Sequence, residues 1–81
     1  MPGARDPALI RAFANVVKEA RLASGLTQEA LALKSNVDRT YVGLLENGRR
    51  QPSLSTIFAL ATGLGVNAEL LIRRTGKFAP K

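Results

Sequence analysis

Residues 28–45 constrain the fold of this chain more than any other stretch. The run QEALALKSNVDRTYVGLL predicts two short helices joined by a tight turn. Asn36 lies at the turn, and asparagine is the non-glycine residue best able to adopt a positive φ there. Ala32 supplies a small side chain where the two helices must cross closely, while Val42 and Leu45 form an apolar face on the second helix. A steep crossing of two short helices is therefore expected.

Start and stop signals divide the rest of the chain into helices, and no segment alternates for long enough to predict a strand. The residues suited to cap a helix N-terminus are Asp6, Thr27, Asp38, Ser53 and Asn67. The residues suited to end a helix are Gly25, Asn36, Asn47 with Gly48, Gly65 and Gly76. These signals predict helices over residues 7–24, 28–35, 39–47, 54–64 and 68–75, with a basic tail over 76–81. The expected architecture is a single all-α domain spanning residues 1–81.

Composition narrows the chemistry that is open to the chain. Cysteine and histidine are both absent from its 81 residues, which argues against disulfides, the usual zinc sites and imidazole catalysis. No apolar run approaches the roughly 18 residues that a membrane span requires, and no signal peptide is recognisable. We expect a cytoplasmic protein with no membrane partner, no cofactor, no metal and no small-molecule substrate.

The charge of the chain favours a polyanionic partner. Twelve Lys and Arg face six Asp and Glu, for a net charge of +6. A need for general solubility would explain the net charge equally well, so the positions of the charged residues in the chain are more informative. Arg39, Arg49 and Arg50 cluster in and just after the second helix of the pair, whereas Glu69 is the only charged residue between Arg50 and Arg73.

The sequence resembles a known family over most of its length. The run GLTQEALALKSNVDRTYVGLLENGRRQPSLSTIFALATGLGV is similar to the lambda-repressor-like, XRE-type helix-turn-helix proteins. Within it, NVDRTYVGLLE resembles the controller proteins of restriction–modification systems, whose recognition helix carries a similar D-R-T-Y. The resemblance implies a compact five-helix lambda-repressor-like domain that binds double-stranded DNA. It also implies a repressor or autoregulatory controller that reads an inverted-repeat operator through the major groove.

Two other classes of function are weaker alternatives. An antitoxin with a protein partner would share the same domain, but such proteins usually add a segment that wraps the toxin. The tail after Thr75 has only six residues. An enzyme is not expected, because the six carboxylates are scattered and the sequence offers no histidine, cysteine or serine-based catalytic constellation.

The first turn of the recognition helix holds the predicted base contacts. Arg39 offers two parallel N–H groups that match O6 and N7 of guanine, although a contact with phosphate alone is the alternative. Thr40 can donate to a base edge or touch a thymine methyl, and Leu44 can offer only apolar contact. The residues predicted to contact the DNA backbone are Gln28, Tyr41, Asn47, Arg49 and Arg50. Lys34 and Ser35 are weaker candidates.

The resemblance also implies a structural ion pair between Arg21, at the end of the first helix, and Glu46, at the end of the third. Two charges held out of solvent need each other, because an unpaired buried charge is costly. We therefore expect Glu46 to have a structural role.

The last two helices carry more apolar surface than one core can absorb. The residues assigned to the inward face are Leu54, Ile57, Leu60, Ala61, Leu64, Val66 and Leu71. Phe58, Leu70 and Ile72 fall outside that stripe, in a segment with little charge. They are predicted to form a two-fold patch that makes the protein a homodimer.

Overall fold

The computed structural model describes residues 5–78. These residues form five helices. In chain order they are α1 (Pro7–Ala23), α2 (Gln28–Ser35), α3 (Arg39–Glu46), α4 (Leu54–Leu64) and α5 (Ala68–Phe78). No strand occurs in the described part of the chain, so the all-α prediction is confirmed. α1 and α3 each end one residue earlier than predicted.

Side-chain caps begin four of these helices at the predicted residues. The Asp6 carboxylate accepts hydrogen bonds from the N–H groups of Ala8 and Leu9 at 3.0 and 3.1 Å. The other three caps each accept one N–H of their own helix; they are Thr27, Asp38 and Ser53. Each cap satisfies a backbone donor that the helix leaves unpaired and contributes about 1 kcal/mol.

The predicted end of the fifth helix is wrong. α5 continues through Gly76 to Phe78, so residues 76–78 are helical and not part of a tail. A glycine ends a helix when it turns to positive φ, as Gly65 does at 73°, but inside a helix it merely costs about 1 kcal/mol. Phe78 borders a surface groove with Leu22 of α1. The rest of the predicted tail, 79–81, lies outside the described residues.

The core lies between the five helices, each of which contributes at least one buried side chain. Its fully buried side chains, each less than 2% exposed, are Val16, Val17, Leu31, Val42, Leu45, Leu60 and Leu71. Leu54 was expected among the inward residues and this is wrong, because its side chain is 70% exposed. Leu54 is the first residue of α4. Contact with the core begins about one turn later, at Ile57, which packs against the buried cluster.

α2 and α4 approach each other closely at Gly63. A Cβ atom at this position would lie 2.1 Å from Ser35 Oγ and 3.1 Å from Leu31 Cδ1, so no other residue fits without a shift. The contact buries Ser35 to 5% exposure. The weaker prediction that Ser35 contacts DNA is therefore wrong, and Ser35 serves to hold α2 against α4.

Candidate nucleic-acid interface

The turn between α2 and α3 determines which side of α3 faces outward. Asn36 adopts φ 57° and ψ 42°, the left-handed conformation that was predicted. The Val37 N–H then returns to the Ala32 carbonyl at 3.0 Å, which ends α2 and turns the chain towards α3. Val42 and Leu45 of α3 are fully buried and face the core. The opposite face of α3 therefore faces outward.

The residues predicted to contact bases lie on the outward face of α3 and differ in how exposed their side chains are. Arg39 and Thr40 are exposed, at the first turn of the helix. Leu44 is half-buried, so less of its side chain is available for contact. Tyr41 is also half-buried and packs against the core, which leaves its ring a structural role beside any contact of its hydroxyl group.

A buried ion pair holds the C-terminal end of α3 against α1. Arg21 Nε lies 2.7 Å from Glu46 Oε2, and Arg21 Nη2 lies 3.0 Å from Glu46 Oε1. The two side chains are 10% and 2% exposed. A third donor, Arg21 Nη1, binds the Leu26 carbonyl at 2.8 Å, so the guanidinium joins three segments of the chain.

Hydrogen bonding to Glu46 raises the pKa of Arg21. Burial acts in the opposite direction, and the negative charge of Glu46 adds to the increase. Arg21 is therefore firmly protonated at neutral pH. This agrees with the structural role predicted for both residues.

Gln28 has a role that the sequence pattern did not indicate. Its Nε2 atom donates to Glu46 Oε1 at 3.1 Å, which ties the first residue of α2 to the last residue of α3. One N–H of the amide remains for another acceptor. The helical signals could not reveal this bond, because its partners are 18 residues apart in the chain.

The predicted backbone contacts after α3 lie together on an exposed loop. Asn47, Arg49 and Arg50 are all exposed. Gly48, at φ 73°, donates its N–H to Leu45, and the Arg49 N–H returns to the Leu44 carbonyl at 2.9 Å. These two bonds form a Schellman motif, which fixes the direction in which the loop leaves the helix. Lys34, the remaining weaker candidate, is exposed at the end of α2.

Two of the predicted dimer residues, Leu70 and Ile72, lie on different sides of α5. Phe58 and Ile72 are 58% and 51% exposed, whereas Leu70 is half-buried. Residues 70 and 72 are about 200° apart around a helix, so they flank the buried stripe of α5 on opposite sides. Ile72 borders an apolar groove of about 360 Å³ with Leu9 and Ile57, while Leu70 borders a different groove.

Residues 5–78 contain neither a candidate metal site nor a single helix that could span a membrane. These residues contain no group of three or more acidic side chains, histidines or cysteines that could hold a metal ion. None of the helices described is by itself long and apolar enough to cross a membrane; α4 and α5 pass that test only as a pair, bent by 108° at the break between them.

A family model and curated relatives match most of the chain. The helix-turn-helix family model matches residues 17–71. The HTH-type transcriptional regulator y4dJ of Sinorhizobium fredii is 40% identical over 55 residues, which cover 68% of this chain and 71% of that protein. The control protein C.SmaI of Serratia marcescens is 38% identical over 64 residues, which cover 79% of this chain and 76% of that protein.

Solved structures of a restriction–modification controller protein share this fold. C.Esp1396I, solved as a tetramer with its natural 35 base-pair operator, superimposes with a TM-score of 0.81 at 34% identity. The match covers 90% of this chain and 96% of that one. Other structures of C.Esp1396I carry single substitutions of an arginine, a threonine and a tyrosine that follow one another in its chain. The same order of residues occurs here once, at Arg39, Thr40 and Tyr41.

Proposed function

Because this chain belongs to the helix-turn-helix family, we propose that it is a homodimeric transcriptional regulator that reads an inverted-repeat operator through the major groove. It acts in the cytoplasm, as a repressor or as an autoregulatory controller. The observation that carries the proposal is the exposed first turn of α3, with Arg39 and Thr40, on a helix whose other end is held by the Arg21–Glu46 pair.

Arg39, Thr40 and Leu44 contact bases in this proposal. A recognition helix inserts its N-terminal residues into the major groove, where an arginine distinguishes guanine by two hydrogen bonds. The exposure of Arg39 and Thr40 supports this role, as does the Arg-Thr-Tyr order shared with the substituted residues of C.Esp1396I. Leu44 contributes apolar contact only, so most of the direct discrimination rests on Arg39 and Thr40.

A second set of residues positions the protein on the DNA backbone. Its members are Gln28, Tyr41, Asn47, Arg49 and Arg50. The N-terminal end of α2 favours an anion through its free N–H groups and its dipole. The exposed arginines of the loop after α3 neutralise phosphates and release counterions, which agrees with the net charge of +6. These contacts set orientation and affinity without carrying sequence information directly.

The dimer uses apolar side chains of α4 and α5. Phe58 and Ile72 are more than half exposed, and Leu70 is half-buried, so each has surface left for a partner. Two recognition helices presented about 34 Å apart match half-sites one DNA turn apart. The related C.Esp1396I assembles as a tetramer on its operator, which supports self-association in this family.

Two alternatives, an antitoxin and an enzyme, are less well supported. An antitoxin would carry the same domain, but the proteins described above are a transcriptional regulator, a control protein and a restriction–modification controller protein. The enzyme alternative is not needed to explain the site, because the regulatory function proposed requires no catalytic residue or cofactor. The distinguishing measurement is co-purification, because an antitoxin would be recovered with a stoichiometric second protein.

Substitution of Arg39 tests the proposed function directly. Selection of bound duplexes from a random pool first identifies the cognate site, which should be an inverted repeat. Arg39→Ala should then cost about 1–3 kcal/mol on that site and little on unrelated DNA. Arg49→Ala and Arg50→Ala should weaken binding to both kinds of DNA equally, because they lose phosphate contacts. Equal losses on cognate and random DNA for Arg39→Ala would contradict its role in base recognition.

A further inference from the structure

Arg11 lies against the loop that follows the recognition helix. An ideal Cβ atom on Gly48 would be 3.1 Å from Arg11 Cγ and 3.9 Å from Arg11 Cα. The aliphatic part of Arg11 therefore crosses directly over Gly48, and α1 contributes a side chain to the end of α3. No helical pattern in the sequence indicates this proximity, because the two residues are far apart in the chain.

The geometry of Gly48 makes this contact possible. Its φ of 73° favours glycine, and its N–H donates to the Leu45 carbonyl at 3.0 Å in the Schellman motif. The missing side chain leaves the space that the Arg11 stem occupies. Since the stem rises from a regular helix and packs on a fixed loop, the direction of the Arg11 side chain is restricted at its base.

Three arginines therefore lie at this end of α3. Arg11, Arg49 and Arg50 are all exposed. Within residues 5–78 the only ion pair joins Arg21 and Glu46, so none of the three has a carboxylate partner there. Asp6, the acidic residue closest to Arg11 in sequence, accepts backbone N–H groups as the cap of α1.

We infer that Arg11 is a further DNA-backbone contact, which binds a phosphate next to those held by Arg49 and Arg50. The inference rests on the proposed function and extends its surface from the loop onto α1. Like charges gathered at one end of a helix repel each other, and a phosphate group relieves this repulsion. Guanidinium groups also bind phosphate through two parallel hydrogen bonds, so a cluster of them is suited to a phosphodiester backbone.

The test measures how binding to a labelled mixed-sequence duplex depends on salt. Each phosphate contact contributes about 0.9 to the slope of log affinity against log salt, measured between roughly 50 and 200 mM. Arg11→Met keeps an unbranched side chain over Gly48 and removes the charge, whereas Arg11→Lys restores the charge. Arg73→Met is the matched control, because it removes one exposed positive charge from α5. Arg49→Met tests the proposed function itself.

Arg11→Met should reduce the slope by about one unit, as Arg49→Met does, while Arg11→Lys and Arg73→Met leave it unchanged. Thermal melting of Arg11→Met should match the wild type, since the stem is retained. If Arg49→Met reduces the slope and Arg11→Met does not, the inference is overturned and the proposed function stands. An equal reduction by Arg73→Met, or by Arg11→Lys, would also overturn it, because neither result depends on a local charge at residue 11. A wild-type protein that fails to bind the duplex refutes the proposed function as well.

Discussion

At the residue scale, Glu46 connects more of this protein than its single charge suggests. Its two carboxylate oxygens accept from Arg21 on α1 and from Gln28 on α2, while Glu46 itself ends α3. Three helix ends therefore meet at one carboxylate that is 2% exposed. Through these contacts Glu46 fixes the end of α3 against α1 and α2.

Removal of this carboxylate should strongly destabilise the fold. Glu46→Ala leaves the Arg21 charge buried and unpaired, at a cost of about 3–5 kcal/mol in the free energy of unfolding. Urea denaturation measures the loss, and Glu29→Ala, which removes an exposed carboxylate from α2, should change the stability little. The double variant Arg21→Met with Glu46→Leu should lose less than Glu46→Ala alone. A Glu46→Ala protein as stable as Glu29→Ala would show that the pair does not hold the fold.

The pH dependence of this contribution follows from the raised pKa of Arg21. A group whose pKa is higher in the folded state stabilises the fold below its unfolded pKa, and the effect disappears as pH rises through the folded value. For an arginine both values lie far above neutrality. The contribution of protonated Arg21 is therefore constant through the neutral range and is lost only in strong alkali.

At the element scale, three glycines inside helices have different reasons to be there. Gly63 allows α2 to approach α4, since a Cβ would lie 2.1 Å from Ser35 Oγ. Gly76 of α5 has nothing within 4 Å of a Cβ position. Gly43 of α3 is intermediate, because a Cβ would make an ordinary contact of 3.6 Å with Gln28 Oε1. Only Gly63 is required by the packing of this chain on itself.

The same substitution at two of these glycines should have opposite effects. Gly76→Ala should stabilise the protein by up to about 1 kcal/mol, because alanine has the higher helix propensity and meets no neighbour. Gly63→Ala should destabilise it by about 1–3 kcal/mol, because the methyl group forces α2 and α4 apart. Thermal melts resolve both, since about 1 kcal/mol shifts the melting temperature of a domain this size by roughly 4–8 °C. A Gly63→Ala protein that melts above the wild type would contradict the close approach.

At the scale of the whole molecule, family membership and the matched structures confirm the predicted recognition, the all-α lambda-repressor-like fold and the class of DNA-binding regulators. The surface that joins two copies stays a prediction. Because Leu70 and Ile72 lie on opposite flanks of α5, substitutions there distinguish one flank from the other.

Dimerisation should depend on the flank that carries Ile72, together with Phe58 of α4. Phe58→Glu and Ile72→Glu change side chains that are already more than half exposed, so the fold should survive while the dimer dissociates. Sedimentation equilibrium should show the mass fall by half. Leu22→Glu is the control, since Leu22 is 59% exposed on α1 and should leave the mass unchanged. Variants at 58 and 72 that remain dimeric would place the interface elsewhere, and Leu70→Glu would then test the other flank.

The sequence by itself determined the features that depend on neighbours within a few residues. Caps such as Asp6 and Thr27, and the left-handed turn at Asn36, are local because a side chain or a backbone conformation meets its partner within one turn. The helix order and the exposed turn of Arg39 and Thr40 follow from those signals and from the family pattern.

Only the tertiary structure decided what lies opposite each helix. Ser35 is buried because Gly63 of α4 meets it, and Leu54 is exposed because the core begins one turn beyond it. The bond from Gln28 to Glu46 and the position of Arg11 over Gly48 likewise join residues on different helices. Such contacts depend on the distances and angles between packed helices, which sequence periodicity does not specify.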